Sequence, residues 1–125
     1  MSLEPPQDIS SHLAEVFAPL PKDAVIGVAV SGGSDSVALL LALRAAMPQA
    51  HLCAATVDHG LRAEAKEEAL WVNALCGKLG VAHTTLTISD LPKGPNLQAR
   101  ARSARYEALA AWGRDMACRC ICLGH

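Results

Sequence analysis

From Ala24 onward the chain alternates between short apolar runs and longer segments whose apolar residues recur every three or four positions. Ala24–Val30 (AVIGVAV) is bounded by turn residues and reads as a buried strand. Ser36–Met47 is rich in Leu and Ala and reads as a helix, closed by Pro48. His51–Val57 is a second strand. Glu64–Leu79 places Ala65, Ala69, Val72, Cys76 and Leu79 along one helical face, and Gly80 falls just past its end. Ala82–Ile88 is a third strand, followed by a polar loop from Asp90 to Pro95. Asn96 is placed as the N-cap of a helix from Leu97 to about Met116, with Leu97, Ala101, Ala104, Ala108 and Trp112 as its core stripe. Arg119–Leu123 is a fourth strand.

This β-α-β-α-β-α-β order predicts an α/β fold, a doubly wound parallel sheet with right-handed crossovers. Strand order 3-2-1-4 would set the first and fourth strands side by side. Residues 24–125 form this domain. Residues 1–23 form an N-terminal tail and a short helix, Asp8–Phe17, with Ile9, Leu13 and Val16 on one stripe. Pro19 and Pro21 end it. No internal repeat or low-complexity stretch is present.

Composition sharpens the picture. Hydrophobic residues make up 51% but aromatics only 3%, so the core must be built from Ala, Val, Leu and Ile. That suits strands buried on both faces. The net charge is -1, so no overall positive field favours nucleic acid. The distribution is uneven: from Leu91 onward six basic residues (Lys93, Arg100, Arg102, Arg105, Arg114, Arg119) face only Glu107 and Asp115. A local basic face follows. Five cysteines in no regular framework argue against a secreted disulfide scaffold. The polar start and the lack of a run of ~20 apolar residues give a cytoplasmic, reduced protein as the expectation, with no membrane. Cys118, Cys120 and Cys122 alternate along a strand, so their three sulfurs are expected on one side as core packing. Trp71 and Trp112 are expected to pack as well.

The chemistry concentrates in Ser31-Gly32-Gly33-Ser34-Asp35-Ser36, between the first strand and its helix. Glycines allow positive φ and close backbone approach to a ligand. The helix that follows presents free N–H groups and a positive dipole end, which together make a phosphate site. Ser31, Ser34 and Ser36 add short donors. Asp35 would repel phosphate unless it holds Mg²⁺ against it. A Walker loop would need a lysine, and a dinucleotide fingerprint would need three spaced glycines; neither is present.

S-G-G-x-D-S resembles the PP-loop of the N-type ATP pyrophosphatases, a Rossmann-like, adenine nucleotide alpha-hydrolase-like family. These enzymes cleave ATP between the α- and β-phosphates and adenylate a substrate oxygen. Three further segments resemble the tRNA(Ile)-lysidine synthetases within that family: Val57-Asp58-His59-Gly60-Leu61-Arg62, the helix start Asn96-Leu97-Gln98 with Ala101-Arg102 and Arg105-Tyr106, and the closing Leu123-Gly124-His125. The resemblance implies that Ser31, Gly32, Gly33, Ser34, Asp35 and Ser36 hold the pyrophosphate of ATP. Asp35 would place Mg²⁺, and Asp58, His59 and Arg62 would border the nucleotide. Arg102, Arg105 and His125, with Asp35, would act on phosphate or substrate. It implies L-lysine and tRNA(Ile) as the other partners and lysidine in the anticodon as the product. The family's acidic segment, last strand and C-terminal domains do not follow here. The chain is therefore expected to be an N-terminal fragment that binds nucleotide without turnover and that, with an exposed sheet edge at its fourth strand, self-associates there, covers that edge or aggregates. A tRNA thiolase or an amidotransferase-type synthetase is the alternative within the same superfamily.

Overall fold

A computed structural model describes residues 23–31, 33–48, 50–58, 60, 63–88 and 94–123. Its elements are β1 (Val25–Ala29), α1 (Ser34–Ala46), β2 (His51–Asp58), α2 (Glu64–Leu79), β3 (Ala82–Thr87), α3 (Leu97–Asp115) and β4 (Cys118–Leu123). The expected helix Asp8–Phe17 lies outside the described residues.

The four strands form one parallel sheet in the order β3-β2-β1-β4. Two crossovers, through α1 and α2, carry the chain toward β3. The third, through α3, carries it back past β1 to β4. Crossovers of one hand that run in opposite directions must lie on opposite faces, and the core divides accordingly. On one face Ile26, Val28 and Val30 pack with Leu40 and Leu43 of α1 and with Val72, Leu75 and Cys76 of α2. On the other face Ala29, Cys53 and Ala55 pack with Leu109 and Trp112 of α3.

Small residues let α3 come close to the sheet. A Cβ on Gly27 would sit 3.0 Å from both Cys118 Sγ and the Trp112 ring, and one on Gly113 would sit 2.5 Å from Ile121 Cδ1. Gly80 ends α2 in the left-handed conformation at φ 70°, its N–H reaching back to the Cys76 and Gly77 carbonyls. That is the expected glycine stop.

Four expectations need correction. Asn96 stands at the cap of α3 but at φ 60°, and its side chain makes no capping hydrogen bond. Asparagine tolerates the left-handed region, and the residue is used for the turn rather than for an extended cap. The buried face of α3 is Ala101, Leu109, Trp112 and Gly113, with Leu97, Ala104 and Ala108 only half-buried. Trp71, expected to pack, is 51% exposed beside Leu70 at 71%. Ala69 and Val72 occupy the inner face of α2 and turn both neighbours outward.

The fourth correction concerns the cysteines. Val25 pairs with Cys118 while Ile26 pairs with Cys120, so Arg119 is an extra residue in β4. A bulge of one residue reverses the side-chain alternation beyond it. Cys118 consequently faces Trp112 and Cys53, whereas Cys120 and Cys122 face the α1–α2 side.

Candidate functional site

β1 is a central strand, and its C-terminal end lies at the point where strand order reverses. In open α/β sheets ligands bind at that edge. There Val30 N–H still bonds to the Ala55 carbonyl at 2.9 Å, and the next residues leave the sheet.

The turn is pinned by Ser36. Its hydroxyl is buried at 5% exposure and accepts the Ser31 N–H at 2.9 Å. It also stands 3.0 Å from Ser31 Oγ, 3.2 Å from the Ser31 carbonyl and 3.3 Å from the Gly33 carbonyl. Ser31 Oγ in turn accepts the Gly33 N–H at 3.1 Å. Ser36 therefore shapes the loop from within. Gly33 departs from expectation. It is extended, with φ -74° and ψ 152°, so positive φ is not its role. A Cβ there would meet Ser31 Oγ at 3.2 Å, so Gly33 serves close approach.

Helix α1 begins earlier than expected. Ser34 and Asp35 belong to its first turn, whose N–H groups have no intrahelical carbonyl to bond. Both side chains are exposed. Among the described residues Asp35 makes no ion pair or hydrogen bond. Its carboxylate lies exposed at the positive end of a helix dipole, where a negative group is stabilised. The arrangement offers backbone donors to an anion and one oxygen ligand to a hard cation. Gly32 lies outside the described residues.

Asp58 ends β2, on the same edge. It is buried at 4% exposure and accepts the Gly60 N–H at 2.9 Å, while its carbonyl accepts the Ile88 N–H at 2.8 Å. Among the described residues this buried carboxylate has one backbone donor, which fixes the turn after β2. His59, Arg62 and His125 lie outside the described residues.

On α3, Arg102 and Arg105 flank Tyr106. Their guanidinium carbons are 5.6 Å and 5.9 Å from the ring centroid, within cation–π range. Arg102 also donates to the Tyr106 hydroxyl at 3.4 Å. The ring thus holds two cations side by side. Among the described residues neither forms an ion pair, and neither hydrogen-bonds to the Ser31–Ser36 turn. A groove of about 280 Å³ on α3 is lined by Ala99, Arg100, Ser103, Ala104 and Glu107. It touches neither the turn nor Asp58, and the turn has the better chemistry for an anion.

One polar chain leaves no mark in the sequence pattern. Thr56 of β2 is buried, and its hydroxyl is 2.8 Å from His83 Nε2. His83 Nδ1 is 3.1 Å from Asn73 Oδ1 on α2. Asn73 Oδ1 can only accept, so the imidazole proton sits on Nδ1 and Thr56 donates to Nε2. Burial lowers the His83 pKa from its ordinary 6.5. The β2–β3 register, in which Ala54 pairs with His83, brings these groups together.

Known proteins share this outline. A family model described as a PP-loop domain matches residues 5–125. Similar proteins include three named tRNA(Ile)-lysidine synthase. That of Ruegeria pomeroyi is 42% identical over 95% of this chain. That of Zymomonas mobilis is 45% identical over 76%, and that of Novosphingobium aromaticivorans 52% identical over 70%. The chain spans only 29%, 28% and 26% of those proteins. Among solved structures, the U34-tRNA thiolase NcsA from Methanococcus maripaludis with its [4Fe-4S] cluster superposes with a TM-score of 0.78. It is 16% identical and covers 95% of this chain and 45% of its own. At that identity the likeness is one of fold.

Proposed function

The chain belongs to the PP-loop family, and from that premise we propose that it supplies the ATP site of a tRNA(Ile)-lysidine synthetase. The observation that carries the reading is the turn itself: a loop pinned by Ser36 that leaves the first turn of α1 and an exposed Asp35 at the strand-order reversal. Backbone N–H groups there would hold the β- and γ-phosphates and stabilise the charge that builds on departing pyrophosphate. Asp35 fits a Mg²⁺ ion because it is an exposed oxygen ligand with no competing partner among the described residues; bound beside phosphate, the ion would offset the charge of the leaving group. Ser31, Gly32, Gly33 and Ser34 would line the phosphates, and Asp58, His59 and Arg62 would border the nucleotide. Arg102, Arg105 and His125 would meet phosphate or tRNA.

In the reaction proposed for the longer enzyme, the C2 carbonyl oxygen of an anticodon cytidine attacks the α-phosphate and pyrophosphate leaves. The side-chain amine of L-lysine then attacks C2, and AMP departs with the oxygen. Nucleotide binding is the part assigned to these residues.

Calorimetry with ATP and Mg²⁺ tests the site. Asp35→Ala is expected to weaken Mg²⁺-dependent binding by at least about tenfold, or ~1.4 kcal/mol, with an unchanged circular dichroism spectrum. Equal affinity in the variant would remove Asp35 from the site. For the longer enzyme, AMP release that needs both lysine and tRNA(Ile) supports the ligation. AMP release that needs a sulfur donor and no lysine would instead indicate a thiolase.

A further inference from the structure

Cys53 on β2 and Cys118 on β4 are separated by the whole of β1, yet their sulfurs are 3.6 Å apart. They meet over Gly27, the one position of β1 on that face with no side chain to keep them apart. A Cβ on Gly27 would lie 3.0 Å from Cys118 Sγ and 3.0 Å from Trp112 Cζ3. The two thiols thus share one small space, floored by Gly27 and closed by Trp112.

This pair is not poised to form a disulfide. Neighbouring strands lie about 4.8 Å apart, so Cα atoms two strands apart are about 9.5 Å from each other. A disulfide spans at most about 7 Å. Cross-linking would have to tear β1 out of the sheet, whereas an ion placed between the sulfurs would not. Metal–sulfur bonds of about 2.3 Å to sulfurs at the observed separation subtend roughly 100°. Swinging each sulfur outward by roughly half an ångström would open the pair to a linear arrangement. Among the described residues no group of three or more His, Cys, Asp or Glu side chains is placed to hold a metal. A tetrahedral divalent ion is therefore poorly served, and two soft thiolates select the monovalent d¹⁰ ions.

We propose that Cys53 and Cys118 form a two-thiolate site for a thiophilic monovalent cation, copper(I) or silver(I), held over Gly27 beneath Trp112. Each sulfur exchanges its S–H bond for an S–metal bond, and two protons pass to solvent for each ion bound. No electron is transferred. Cys53 is buried and Cys118 half-buried, so entry is from the Cys118 side. Burial, and then the Cys118 thiol beside it, push the Cys53 thiol up to about 12. The free thiol is inert at neutral pH, and uptake strengthens steeply as pH rises. The site is independent of the proposed nucleotide role.

The test uses the whole chain carrying Trp71→Phe, which leaves Trp112 as the only indole, and Cys120→Ser with Cys122→Ser, which removes the competing pair. Silver(I) titration is expected to quench Trp112 emission with an end point at one equivalent and to release two protons per ion. Cys53→Ser and Cys118→Ser should each lower the apparent affinity by at least about a hundredfold. Release of a single proton, or quenching that survives Cys53→Ser, overturns the proposal. X-ray absorption at the silver edge, on the protein with Cys53 and Cys118 intact, gives a second reading that does not depend on how those two variants fold. Two sulfur neighbours are expected, and any other number overturns the assignment.

Discussion

Ser36 and Ser34 carry the same hydroxyl two residues apart, yet they should answer to different measurements. Ser36 Oγ accepts the Ser31 N–H and touches the Ser31 and Gly33 carbonyls; Ser34 is exposed in the first turn of α1. Ser36→Ala leaves a part-buried N–H without its partner, at a cost of roughly 1–3 kcal/mol in urea denaturation, and loosens the loop proposed to bind nucleotide. Ser34→Ala should change stability by no more than about 0.5 kcal/mol and alter only ligand affinity. If both variants unfold at the wild-type urea midpoint, Ser36 is not a pin. His83 gives a pH signature at the same scale. Its folded pKa is depressed by burial, so the imidazole is neutral in both states above the unfolded value near 6.5. As pH falls below that value the unfolded chain takes up a proton that the folded one resists, and stability is lost toward the lower folded pKa. Protonation would also turn Nε2 into a donor, and the Thr56 hydroxyl would have to rotate and accept from it. Wild type should therefore lose stability relative to His83→Gln as pH drops from 7.5 to about 5. Parallel curves for the two proteins would refute it.

At the scale of elements, two glycines should respond in opposite directions to the same added methyl. Gly77 lies in α2 with nothing within 4 Å of where a Cβ would stand, so Gly77→Ala should stabilise the fold by about 0.5–1 kcal/mol through helix propensity alone. Gly27 lies under Trp112 and Cys118, and Gly27→Ala should destabilise it by about 1–3 kcal/mol through overpacking. Thermal midpoints that shift in the same direction for both variants would contradict this packing. The elements themselves were largely legible in the order of residues. The stripe Ala65, Ala69, Val72, Cys76 predicted α2 with its bounds, and the β-branched run after Ala24 predicted β1. The turn proposed as the phosphate site was legible because its glycines and serines fall between those two kinds of pattern. What hid from the sequence needed neighbours in space. The inward hydroxyl of Ser36 depends on how the turn closes, the Thr56–His83 contact depends on strand register, and the split of the cysteines depends on one extra residue at Arg119. None of these leaves a periodic trace.

At the scale of the whole molecule, the sheet has two unlike edges among the described residues. β3 presents Thr84, Thr85 and Thr87, all exposed, and a polar edge strand resists adventitious pairing. β4 ends in Ile121, Cys122 and Leu123, the last 38% exposed, and among the described residues its outer backbone has no neighbouring strand. Unpaired N–H and C=O groups along an apolar strand are a template for a further strand. A second copy can satisfy it by a two-fold axis that sets β4 antiparallel to itself, the self-complementary contact that closes a dimer. The chain alone should then show concentration-dependent dimerisation in analytical ultracentrifugation. Leu123→Lys, which places a charge on that edge without entering the core, should shift the equilibrium toward monomer. Hydrogen exchange separates this mode from contact through the exposed Leu70–Trp71 pair on α2. Dimerisation at β4 slows exchange of the β4 amides as concentration rises, whereas association through α2 leaves them unchanged and is relieved by Trp71→Lys instead. A chain that stays monomeric at every concentration while its β4 amides remain protected would show that the edge is covered from within the same molecule.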